Sequence, residues 1–362
     1  MPDSGKEILM NDVYQNLAQH LDNLPAGFPA TETGVEIRIL KRLFTPEEAR
    51  IAAGLVMMPE PASAIAARLQ MEEAVLTPVL EDMSRKGLIY RSSRHGQTYY
   101  MAAQFVVGIW EYHVKSLDLE LIKDFNEYAP YLMQQAWTET KTKQLRVIPI
   151  SKSISAEMLT MPYDEAEKII RQQTKIVVAP CICRTEHKMA GKGCDKPIEV
   201  CLSFGSGAYF YEENGLGRSI NQEEALDILA KGMEAGLVLQ PGNSQKPTNI
   251  CMCCGCCCQI LKNLNQLDEP ARAVNTSYFA EVAADNCTGC GMCAERCQMQ
   301  AIVVEDVAHV KKERCIGCGL CVAACNFDAI HLLEKKPEDR WIPPANTVET
   351  YINIARERGK LG

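Results

Sequence analysis

The sequence predicts an α+β chain of several domains. Three observations lead there: helical apolar spacing followed by a hairpin signal in residues 35–110, short apolar runs that end in cysteines between 146 and 270, and a gapless cysteine repeat between 287 and 332. A length of 362 residues exceeds one ordinary core, and 47% apolar with 23% charged residues is globular usage. The expected organisation is an N-terminal helix and loop (1–34), a first compact domain (35–110), a helical connector (111–145), a cysteine-rich α/β domain (146–270), a repeat domain (271–335) and a tail helix (336–362).

Each element has a local reason. Ile8, Leu9, Val13, Leu17 and Leu21 recur at helical spacing, and the breaker-rich NLPAGFPATETG follows as a loop. Thr45-Pro46-Glu47-Glu48 is a helix start with Thr as N-cap, Pro at N1 and Glu at N3. Helices are expected over 63–70 and 71–87, then a hairpin over 88–102 turning at Arg94-His95-Gly96. In residues 103–145, Leu117, Leu121, Ile122 and Phe125 mark an amphipathic helix, and Trp110, Tyr128, Tyr131, Met133 and Trp137 read as packing residues. RVIPI (146–150) reads as a strand, EAEKIIRQQ as a helix, KIVVAP (175–180) as a buried strand, and EEALDILAKGMEAG as a helix capped by Asn221 and closed by Gly236. The glycines of FGSGAYFYEENGLGR (204–218) read as turns, because no complete G-x-G-x-x-G sits between a strand and a helix.

Three helices followed by a two-stranded wing resemble a winged helix-turn-helix. Glu72, Glu73, Glu81 and Asp82 on its third helix would meet phosphates with like charge, and the net charge of −8 gives no general attraction to nucleic acid or to an anionic membrane. Arg85, Lys86, Arg91 and Arg94 near the wing are the opposing feature. Protein docking is the expectation. No apolar run is long enough to cross a bilayer, and no basic segment leads into an apolar one at the N-terminus, so a cytoplasmic location is expected.

Eighteen cysteines in a reducing compartment, bunched at one- to three-residue intervals, suit metal ligation better than disulfides. CTGCGMCAERCQMQAIVV (287–304) and CIGCGLCVAACNFDAIHL (315–332) align so that every cysteine moves by 28 positions: Cys287 to Cys315, Cys290 to Cys318, Cys293 to Cys321, Cys297 to Cys325. C-x2-C-x2-C lets successive thiolates reach different irons of one cubane, with the glycines admitting backbone amides toward the inorganic sulfides. Zinc sites instead pair C-x-x-C knuckles.

This segment resembles the bacterial-type two-[4Fe-4S] ferredoxin over residues 280–335. The resemblance implies that Cys287, Cys290, Cys293 and Cys325 hold one cluster, and Cys315, Cys318, Cys321 and Cys297 the other. The chain departs from the family after the last cysteine of each motif, where Gln298 and Asn326 replace the usual proline. Such a domain, itself near-neutral over 271–335 and set in a long chain, implies internal wiring to a redox partner protein.

A second cysteine set comprises Cys181, Cys183, Cys194 and Cys201, then Cys251, Cys253, Cys254, Cys256, Cys257 and Cys258 in the octet CMCCGCCC. Ten thiols exceed the need of one cubane, so one or two further iron–sulfur clusters, or one cluster plus free or catalytic thiols, are expected here. His187 reads as solvent-facing rather than as a ligand, and Arg184 either as a hydrogen-bond donor to sulfur or as a surface ion pair. CxCR, C-D-x-P-x-x-x-C and ICxCCGCCC, together with NLPAGFPATETGVEIRILKRLFTPEEA, resemble a group of large bacterial 4Fe-4S-binding proteins found in anaerobes. More loosely they resemble the cysteine-rich CCG domains of heterodisulfide reductases, which use two widely separated Cys-Cys pairs. The functional expectation is an iron–sulfur electron-transfer protein or subunit of an oxidoreductase. A reductase with a catalytic central cluster and a redox-sensing winged-helix regulator are the alternatives.

Overall fold

The structure is a computed structural model that describes residues 4–155, 158 and 160–361; the side chains of residues 4–12, with Ile8 and Leu9 among them, and of Trp137 lie outside the described set. The chain forms two compact units. The first takes residues 1–139 together with 209–216 and 354–362, and the second takes 140–208 and 217–353. No helix among the described residues is long and apolar enough to cross a membrane.

In the first unit, α1 (Ser4–Asn23), α2 (Val35–Leu43) and α3 (Pro46–Ala52) lead to a short β1 (Glu60–Pro61), α4 (Ala62–Leu69), α5 (Glu73–Arg85) and the hairpin of β2 (Tyr90–Arg94) and β3 (Gln97–Met101). The α3 start is a full capping box: Thr45 accepts from the Glu48 N–H while the Glu48 carboxylate accepts from the Thr45 N–H. β1 adds to β3, giving the antiparallel order β1-β3-β2. His95 (φ +52°) and Gly96 (φ +79°) supply the two left-handed residues that a tight two-residue hairpin needs. Then follow α6 (Trp110–Tyr112) and α7 (Leu119–Thr138), where Trp110 stacks on Phe125 with ring centroids 3.6 Å apart. Trp110, Tyr128 and Met133 are buried, while Tyr131 is exposed.

The second unit opens with residues 145–148, which bridge Gly242 and Leu239 singly instead of forming the expected strand. α8 (Ala166–Arg171) precedes β4 (Ile176–Pro180), α9 (Ile182–Met189), β5 (Glu199–Phe204), α10 (Gly205–Glu213, whose residues from 209 onward belong to the first unit), β6 (Arg218–Ile220), α11 (Gln222–Glu234), β7 (Val238–Pro241), β8 (Asn249–Cys253) and α12 (Gln259–Leu264). The five strands pair antiparallel in the order β6-β4-β5-β8-β7. β-branched Ile176, Val177 and Val178 fill the centre, and Asn221 caps α11 by accepting from the Glu224 N–H. Of segment 204–218, expected as turns, residues 205–213 form α10, while Gly215 and Gly217 lie in the turn that follows. Ala208, Phe210 and Tyr211 are buried on the helix, so packing overrides glycine's poor helix propensity.

The remainder is β9 (Tyr278–Val282), α13 (Met292–Arg296), β10 (Ile302–Val304), β11 (Ala308–Val310), α14 (Leu320–Ala324), β12 (Ile330–Glu334) and α15 (Thr347–Glu357). β9 pairs with β12 and β10 with β11. The tail, expected to pack back on the repeat, bonds on both sides of the second unit: Trp341 exchanges hydrogen bonds with Ser277, and its indole N–H donates to Asn243 Oδ1 at 2.8 Å.

Candidate metal centres

The internal repeat is structural as well as sequential. β9-loop-α13-β10 and β11-loop-α14-β12 are the two copies, and their buried core pairs by the same 28-residue offset: Ala280 with Ala308, Cys293 with Cys321, Ile302 with Ile330. Backbone N–H groups donate to four thiol sulfurs at equivalent places: Ala280 to Cys315 (3.4 Å), Ala308 to Cys287 (3.3 Å), Ala301 to Cys297 (3.3 Å) and Ala329 to Cys325 (3.4 Å). The copies therefore begin at β9 and β11, upstream of the sequence alignment. The signal was present in Ala280 and Val282 against Ala308 and Val310.

Two cavities lie between the copies. One is lined by Cys287, Cys290, Cys293 and Cys325, the other by Cys297, Cys315, Cys318 and Cys321. Gly289 and Gly317 hold φ of +69° and +68° in the turns between the first two cysteines of each copy. A Cβ on Gly289 would sit 2.6 Å from the Asp306 carbonyl oxygen, and one on Gly317 would strike the carbonyl of Tyr278, the equivalent residue. Burial pushes the Cys318 thiol up to about 12, so such a group ionises only beside a cation. Four thiols around an apolar cavity, approached by N–H donors, fit an iron–sulfur cubane.

Residues 286–329 match the family model of the 4Fe-4S dicluster domain. The chain thus carries an iron–sulfur, ferredoxin-like domain. Neither the curated proteins nor the solved structures contain a match to the chain.

Upstream of the ferredoxin-like domain, the ten remaining cysteines fall into two groups. In the first, the β5–β8 register (Leu202 opposite Ile250) continues to set Cys201 opposite Cys251, and Cys253 follows on the same face of β8. Cys181 and Cys258 stand at the N-caps of α9 and α12. Within this group Cys201 neighbours Cys251, Cys251 neighbours Cys253, Cys253 neighbours Cys258, Cys258 neighbours Cys183, and Cys183 neighbours Cys181. Contact with a neighbouring thiol and burial push Cys181, Cys251 and Cys253 well above the usual thiol value. Six mutually crowded thiols, Cys253 and Cys258 buried and the other four half-buried, cannot ionise together without a metal cation, and that chemistry fits a metal or iron–sulfur group.

The second group comprises Cys194, Cys254, Cys256 and Cys257, whose sulfurs all lie within 4.8 Å of one another. The octet is therefore divided: Cys251, Cys253 and Cys258 serve one group and Cys254, Cys256 and Cys257 the other. The adjacent pairs Cys253-Cys254 and Cys257-Cys258 are each split between the two groups, while Cys256 and Cys257 stay together. Arg184, one residue after Cys183, is buried and donates to Cys254 Sγ (3.7 Å) and to the Met252 carbonyl (3.0 Å), which excludes the surface ion pair. Burial would raise the Cys254 thiol, but the Cys257 N–H and Arg184 bring it down to about 7.

His187 is buried rather than solvent-facing. Its Nδ1–H donates to the Cys183 carbonyl (2.9 Å), and Lys262 Nζ lies 3.3 Å from Nε2, so both ring nitrogens face partners other than sulfur. Helical periodicity explains the inward position: His187 shares a face with Arg184 and Cys183.

Gln298, standing where the ferredoxin family has proline, joins the two halves of the unit. Its Oε1 accepts from the Gly255 N–H in the middle of the octet (2.8 Å), and its carbonyl accepts from Asn265 Nδ2 (2.9 Å). A proline could not make the side-chain bond. Gln298→Ala leaves the Gly255 donor without its acceptor and is expected to cost about 1 kcal/mol, read as a lower guanidinium midpoint under anaerobic conditions.

Proposed function

We propose that the chain is an iron–sulfur electron-transfer protein or subunit, passing electrons between a partner oxidoreductase and the central cysteine-rich site. The observation that carries the proposal is the pair of cavities, each lined by three cysteines of one copy and the last cysteine of the other. Cys287, Cys290, Cys293 and Cys325 would hold one [4Fe-4S] cluster, and Cys297, Cys315, Cys318 and Cys321 the second. When bound, such clusters take up and release electrons singly without proton chemistry.

The residues around them have definite tasks. The four N–H donors to sulfur withdraw charge from thiolates and favour the reduced state. Gln298 fastens the Cys297 loop to Cys254-Gly255-Cys256, so the loop holding one cluster ligand is hydrogen-bonded directly to the central cysteines. Arg184 sets a fixed positive charge among the central thiols.

The helices and hairpin of residues 35–110 support a winged-helix module that docks a protein. Three of the four basic residues near the wing are ion-paired, Arg85 with Glu81, Lys86 with Glu48 and Asp82, and Arg91 with Glu81 and Glu213, while Arg94 is exposed. Cations already neutralised in this way offer little to phosphates, which weighs against nucleic acid. A cytoplasmic, oxygen-poor setting suits a chain with this many thiols.

The test is elemental analysis of anaerobically purified full-length protein. The proposal requires at least eight irons and eight sulfides per chain, on the basis of two four-iron clusters in the ferredoxin-like domain. Protein that takes up zinc and no sulfide under iron-replete conditions would overturn it.

A further inference from the structure

The relay needs the ferredoxin-like domain and one central site, yet the division of the octet creates two central sites. The smaller one has a geometry unlike that of the cavities downstream. Its sulfurs lie together, with Cys257 to Cys194 at 3.7 Å and Cys257 to Cys256 at 3.8 Å. One ion bonded to four thiolates at ~2.3 Å in a tetrahedron separates its sulfurs by ~3.8 Å. A cubane places each thiolate on a different iron and forces the four farther apart, around a cavity of the kind seen twice in the ferredoxin-like domain.

The local chain supplies a second argument. Cys254-Gly255-Cys256-Cys257 contains a C-x-x-C turn, the spacing of a metal knuckle. The Cys258 N–H closes the turn on the Cys254 carbonyl at 3.1 Å. Four thiolates around a divalent ion carry two net negative charges, and the buried Arg184 guanidinium on Cys254 Sγ offsets part of that charge from outside the ligand set.

We propose that Cys194, Cys254, Cys256 and Cys257 hold a single tetrahedral metal ion, zinc or iron, with no inorganic sulfide. The site is separate from the six-thiol group of Cys181, Cys183, Cys201, Cys251, Cys253 and Cys258, which remains the central partner of the relay. Zinc would make it a structural clamp on the octet; iron would add a one-electron centre. The inference stands whether or not the relay reading does.

The experiment compares metal and acid-labile sulfide in full-length protein purified without oxygen. Cys194→Ser is expected to lose about one metal atom per chain and no sulfide, and the identity of that atom distinguishes zinc from iron. Cys290→Ser, in the ferredoxin-like domain, loses iron and sulfide together and serves as the contrast. Cys256→Ala repeats the measurement at the exposed edge of the site, with less disturbance of the core than Cys194→Ser. In both variants the retained EPR signal of the ferredoxin-like clusters reports a folded chain. Loss of sulfide in proportion to metal from either folded variant would show a cluster at this site, and unchanged metal in both would show no ion; either result overturns the proposal.

Discussion

Cys325→Ser is expected to remove the same cluster as Cys290→Ser, and Cys297→Ser the same cluster as Cys318→Ser, although each pair spans both copies of the repeat. The cavities dictate this result, because the last cysteine of each copy lines the cavity built by the other. Each variant should lose about four irons and four sulfides, half the content of the ferredoxin-like domain. The spectra of reduced Cys325→Ser and Cys290→Ser should coincide and differ from those of the other pair. If Cys325→Ser instead matches Cys318→Ser, the cysteines do not cross and the ligand sets above are wrong.

Gly289→Ala is expected to be strongly damaging, with Gly291→Ala as its mild neighbour. Both glycines hold positive φ, +69° and +80°, so each alanine carries a left-handed backbone cost of about 1–2 kcal/mol. At Gly291 nothing lies within 4 Å of the added atom, and the cost ends there. At Gly289 the new Cβ meets the Asp306 carbonyl at 2.6 Å, two residues before the Ala308 N–H that binds Cys287 Sγ. Relieving the clash moves that donor, so the total should reach roughly 3 kcal/mol or more and iron should be lost during purification. Anaerobic denaturation midpoints and iron content of the two variants, side by side, provide the check. Equal effects at both positions would show that the close approach to Asp306 does not matter.

The features legible in the sequence were those carried by spacing. Four cysteines displaced by 28 residues located the repeat, and Thr45 and Asn221 located two helix starts through capping chemistry. What spacing could not convey depended on tertiary neighbours. Gly205 and Gly207 looked like turn residues. Gly207 lies in α10, where a Cβ would come within 2.9 Å of Ser203 Oγ, so the glycine serves close packing rather than a bend.

The octet was the harder case. The count of thiols pointed beyond one cubane, but spacing does not say which cysteine serves which site: after the strand ends at Cys253, Cys254, Cys256 and Cys257 turn to one group while Cys251, Cys253 and Cys258 serve the other. Cys194 and Cys201 likewise seemed a single motif, CDKPIEVC, yet β5 carries Cys201 to Cys251 while Cys194 in the loop joins Cys257. Gln298 was visible as a departure from the family pattern, but its partner, Gly255, lies 43 residues away and no local rule links them.

The central claim is that thiolates of the ferredoxin-like domain grip two iron–sulfur cubanes, and EPR of the chemically reduced, anaerobically isolated protein tests it most directly. The account predicts two reduced [4Fe-4S] centres in one chain, close enough to broaden each other's signals, and a simple, unbroadened signal when Cys318 is replaced by serine. A reduced protein without any iron–sulfur signal, or a single isolated centre that survives both Cys290→Ser and Cys318→Ser unchanged, would contradict it.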